Sequence, residues 1–117
     1  MSCVTDVLVL CSLEERFDEN EEMIPFGETP AAIQALNRWL KQNGHGELSC
    51  LDKFALGGGK AFQAVLYGAA FNYFPFQDFM KVVEETPWRE RESVQVLIKD
   101  ENGSVFTVHK IGIRAAA

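Results

Sequence analysis

The chain has 117 residues, 47% of them hydrophobic and 24% charged, with nine phenylalanines; this excludes a disordered polypeptide and fits one domain with its own core. Seventeen acidic residues against 11 basic ones leave a formal net charge of -6, a field that repels nucleic-acid phosphates and anionic lipid and favours basic partners. Three cysteines, Cys3, Cys11 and Cys50, make neither an even framework nor a Cys-x-x-Cys pair, and the N-terminus lacks a basic, apolar leader, so a reduced, cytosolic protein is expected.

Along residues 4–12, Val7, Val9 and Cys11 fall on one face and Val4, Leu8 and Leu10 on the other, which predicts a central strand apolar on both sides. Residues 13–28 carry Glu14, Glu15, Asp18, Glu19, Glu21 and Glu22 with Arg16 as the one positive charge. Phe17, Met23, Ile24 and Phe26 interrupt them without a period, so this stretch reads as a long loop with apolar anchors. Thr29 followed by Pro30 predicts a helix start, with Thr29 as N-cap and the proline at the first helical position. Ala32, Ile33, Leu36, Trp39 and Leu40 then recur at helical spacing, and Asn43-Gly44 supplies the stop.

Residues 47–56 fit a strand or a helical turn equally well. After Gly57-Gly58-Gly59-Lys60, residues 61–74 read as a long central strand, with Val65, Tyr67, Phe71 and Tyr73 on one parity, and the Ala-rich middle with Gly68 leaves a helix as the alternative. Phe76, Phe79, Met80 and Val83 stand at the spacing of an amphipathic helix that Thr86-Pro87 ends. Residues 94–99 and 105–111 form two strands around the turn signal Asn102-Gly103. The order β-α-β-β-α-β-β predicts an α+β, ferredoxin-like two-layer sandwich over residues 1–114, a mostly antiparallel sheet with both helices on one face. The alanines at 115–117 read as a tail, natural or a cloning remnant.

No motif carries a catalytic assignment. A phosphate-binding Walker loop around Lys60 fails, because Phe54 and Ala61 stand where it needs a glycine and a Ser or Thr. Asp18 to Glu22 opens like a calcium loop, but Met23 and Thr29 replace the required glycine and the bidentate Glu. His45 and His109 have no metal-ligand spacing, and nothing local pairs either with a cysteine, so no metal or cofactor is expected. An RNA-binding aromatic platform would need a basic surface and its own motif, and both are missing.

Two surfaces remain as candidates. The first is the acidic loop, Glu14, Glu15, Asp18, Glu19, Glu21 and Glu22, helped by Trp88 beside Arg89 and Arg91; its bland alternatives are a solvated loop and a tryptophan capping the core edge. This favours a small protein-binding or inhibitory module, most concretely a bacterial immunity-type protein neutralising a basic partner. The second is a pocket beside the glycine loop using Gly58, Gly59, Lys60, Tyr67, Asn72 and Tyr73, as in a ligand-binding domain or a small enzyme; a flexible connection and satisfied core residues are the simpler explanation. A homodimer paired through the final hairpin is a third expectation.

Overall fold

The computed structural model describes residues 3–25, 27–54 and 57–112. In chain order it has β1 (Val4–Ser12), α1 (Ala31–Gln42), β2 (Ser49–Cys50), β3 (Ala64–Asn72), α2 (Phe76–Glu85), β4 (Gln95–Asp100) and β5 (Thr107–Lys110). Single 3-10 turns lie at Leu13–Arg16, Asp52–Phe54 and Arg91–Ser93. The strands make one sheet, ordered β2-β3-β1-β4-β5, in which every neighbouring pair is antiparallel. The expected α+β class is present. The order departs from that of a four-stranded ferredoxin-like sheet by a fifth strand, β5, outside β4, and β2 is only two residues long. The tail at 115–117 and the anchor Phe26 lie outside the described residues.

β1 takes the central position that its apolar sequence predicts, paired along its length with β3 and along most of it with β4. The pleat sends alternate residues to opposite faces. On one face Val7, Val9 and Cys11, with Val65, Tyr67 and Phe71 from β3 and Val96 and Ile98 from β4, are buried. Ile33, Leu36 and Leu40 of α1 and Phe79 and Val83 of α2 close over them in a single cluster. Each such fully buried side chain contributes about 1.5–3 kcal/mol relative to exposure, so this layer holds the fold.

The other face carries neither helix, as the expected two-layer arrangement requires. A strand apolar on both sides normally lies between two covering layers. Here Leu8, Leu10, Leu66 and Leu97 are only half-buried, Val108 is exposed, and none belongs to the core cluster or packs against it. Both helices pack on the opposite face.

The helix ends show which local signals held. α1 closes with Gly44 at φ 76°, the Gly44 N–H bonded to the Lys41 carbonyl and the His45 N–H to that of Leu40, a paired 5→2 and 6→1 stop. At its start Pro30 is the boundary residue, with ψ 148° and no side-chain cap, so the expected Thr29 cap is corrected. Pro30 itself takes the cap position and has no side-chain acceptor, and Thr29 is used elsewhere: its carbonyl accepts from Gln34 Nε2 at 2.7 Å and its hydroxyl meets Tyr67. Of the ambiguous stretch 47–56, residues 55–56 lie outside the described residues, and the described part, 47–54, resolves into β2 and a 3-10 turn. It is pinned because Asn37 accepts from the Leu48 N–H at 2.8 Å and donates to the Leu48 carbonyl at 3.4 Å.

Candidate functional site: a charge-anchored acidic loop

The loop leaves β1 through a turn that separates its first two glutamates. Ser12 Oγ accepts from the Glu14 N–H at 3.0 Å, capping the 3-10 turn; Glu14 then faces solvent while Glu15 and Arg16 point inward. Glu15 is 4% exposed, and its carboxylate accepts from the backbone N–H groups of Arg89 (2.9 Å) and Glu90 (3.0 Å). A carboxylate satisfied by two backbone donors ties the loop to the segment after α2, and charge-assisted bonds of this kind are among the stronger ones.

Arg16 makes the second anchor. Its guanidinium is 3.3 Å from Asp52 Oδ1, 3.5 Å from the Glu28 carbonyl and 3.9 Å from Cys50 Sγ, with both ionic side chains almost wholly buried. Asp52 accepts from the Leu66 N–H through its other oxygen at 2.7 Å. The pair therefore joins both ends of the loop to β2 and β3. A buried pair of this kind lends little net stability but is costly to break one-sidedly.

Between the anchors the chain is a tight hairpin. Phe17 and Met23 are bridged, Ile24 N–H reaches the Arg16 carbonyl at 2.8 Å, and Asp18 N–H the Glu22 carbonyl at 2.8 Å. Asp18 Oδ1 accepts from the Asn20 and Glu22 N–H groups at 2.8 and 3.0 Å, and Glu21 adopts φ 60°. Arg89 clips the tip from outside through Glu21, at 2.8 and 2.9 Å, and the Asp18 carbonyl at 3.3 Å. The bond to Glu21 raises the Arg89 pKa further, so that charge is permanent.

The six expected loop carboxylates thus divide by use. Glu15, Asp18 and Glu21 are spent on the loop itself. Glu14, Glu19 and Glu22 are exposed and make no side-chain ion pair or hydrogen bond among the described residues, and Met23 stands beside them at 55% exposure. Trp88 does not join this surface. It is buried and its indole donates to the Val83 carbonyl at 2.8 Å, so it caps the core, and the reading of it as an exposed anchor is corrected. The anchors Arg16 and Asp52 were not foreseen; an isolated arginine in an acidic run was the one available signal.

The second candidate surface is not assembled. Gly58, Gly59 and Lys60 are exposed, and a Cβ at either glycine would meet nothing. Tyr67 is buried on the helix side of β3, whereas Asn72 stands on the opposite face and Tyr73 turns out of the strand at φ 50°, 68% exposed. These residues therefore do not share a pocket. Tyr67 instead borders a cavity of about 400 Å³ with Thr29, Ser49, Cys50 and Lys53, on the α1 side of the molecule. Burial raises the Tyr67 phenol pKa, and Thr29 and Cys50 are its hydrogen-bonding neighbours.

Cys11 is buried and desolvation pushes its thiol well above the usual range, with the charge of Glu15 adding to the effect. His45 packs among Trp39, Phe71 and Phe74, and His109 against Phe76. Among the described residues no cluster of three or more His, Cys, Asp or Glu could hold a metal ion, and no helix is long and apolar enough to cross a membrane. Compared with family models, curated proteins and solved structures, the chain matches none.

Proposed function

We propose that this chain is a small protein-binding module whose acidic hairpin meets a basic protein. The observation that carries this is the division of labour in the loop: two buried charges, Glu15 and Arg16, hold it, while Glu14, Glu19 and Glu22 are held outward with no side-chain bond among the described residues. A pre-ordered surface loses little conformational entropy on binding, and clustered carboxylates speed encounter with a cationic partner. Exposed Met23 adds an adaptable apolar contact. An immunity-type protein that neutralises a basic toxin is the most concrete form of this reading. Three free cysteines suit a reducing compartment such as the cytosol. We read β1-α1-β2-β3-α2-β4 as a ferredoxin-like split unit to which β5 has been added.

The test is capture from a lysate of the source cell at low salt, elution by a salt step, and association kinetics of the recovered protein. Wild-type protein should retain a basic protein. Charge reversal of Glu14, Glu19 and Glu22 to Lys should slow association at least about tenfold and flatten its salt dependence, with circular dichroism unchanged. Capture indifferent to the three reversals would overturn the proposal.

A further inference from the structure

We infer that the sheet face which no described helix covers is a contact between two copies of this chain, packed face to face. The outward row Val108, Leu97, Leu8 and Gly68 runs from β5 across β4 and β1 to β3, and Leu10 and Leu66 extend it one pleat along. Leu51 closes over Gly68 together with Leu8, their methyl groups 2.9 and 2.7 Å from where a Cβ would stand. The centre of the face, around Gly68, is therefore apolar and filled; the concavity on this face lies at its end, beside Leu10, Ala64 and Gln95. Apolar sheet faces pack on one another at about 10 Å.

Charge points to a second copy. Asp6, Lys99 and Lys110 are the charged strand residues on this face, and Lys99 lies 3.8 Å from Asp6. One acidic residue of 17 stands on these outward strand positions, so two chains of net charge -6 can meet here without opposing their carboxylates. A basic partner gains nothing from the same face, whose strand charges sum to one positive unit.

The area agrees with a reversible dimer. Thirty strand residues, each covering about 3.3 by 4.8 Å, project roughly 480 Å² per copy, or about 950 Å² for the pair. Specific interfaces begin near about 1,000 Å² of accessible surface, which exceeds its projection because side chains stand proud of the sheet.

Sedimentation equilibrium over a micromolar concentration series tests this. The wild-type chain, 13.1 kDa as a monomer, should approach twice that mass with rising concentration. Val108→Lys alone, at an exposed position, should weaken the dimer at least about tenfold, and with Leu97→Lys should abolish it; circular dichroism checks that both variants fold. Glu19→Lys in the acidic hairpin should leave the dimer intact, which separates this contact from the hairpin surface. A wild-type monomer throughout, or a dimer that survives folded Leu97→Lys/Val108→Lys, overturns the inference.

Discussion

Between positions 14 and 22 six side chains are acidic, and Glu15 alone among them is drawn inside. The 3-10 turn rotates it toward the chain after α2, where the N–H groups of Arg89 and Glu90 have it as their acceptor. Replacing it with alanine strands two backbone donors, and Glu15→Ala should lower unfolding free energy by about 2–4 kcal/mol in urea titration. Glu15→Gln keeps one carbonyl acceptor and should cost clearly less. Equal midpoints for wild type and Glu15→Ala would show that water satisfies those donors. Nothing local distinguishes Glu15 from Glu14, because the difference lies in a contact 74 residues away. Trp88 misleads for a different reason: flanked by proline and arginine it looks exposed, but its indole folds back on its own segment to the Val83 carbonyl in the last turn of α2.

Elements with a period were legible and elements defined by a partner were not. α1 and α2 follow from apolar residues at helical spacing, and β1 from its two-sided alternation. β2 is two residues long and exists because Asn37 clamps Leu48 and because β3 offers an edge, so no pattern in 47–56 could reveal it. The acidic hairpin was legible as a charged loop but not as an ordered one, since the Arg16–Asp52 pair that orders it spans distant segments. β3 shows the limit of propensity at one position. Gly68 looks like a weak point in a strand, yet it is the residue over which Leu8 and Leu51 close, with the Val7 carbonyl 3.0 Å from an added Cβ. Gly68→Ala should therefore destabilise by about 1–3 kcal/mol despite its better strand propensity, measured by chemical denaturation. A neutral or stabilising effect would mean that both leucines swing aside freely.

At the scale of the molecule, one sheet face lies under both helices and the other under no described helix, so folding and association share the same apolar strand. If two copies pair through that face, the native state is stabilised by mass action, and the melting temperature should rise with protein concentration in wild type but stay constant in Leu97→Lys/Val108→Lys. A melting temperature independent of concentration in both would separate stability from association. The acidic hairpin has the opposite character. Its frame is secured by Glu15, Arg16, Asp18 and Asp52, and its outward residues Glu14, Glu19 and Glu22 contribute no side-chain bond to that frame. Changes at such surface positions stay within about 0.5 kcal/mol of neutral. Selection can therefore rewrite the hairpin's outward residues, and so retune which partner is recognised, one substitution at a time along paths that never pass through an unfolded intermediate.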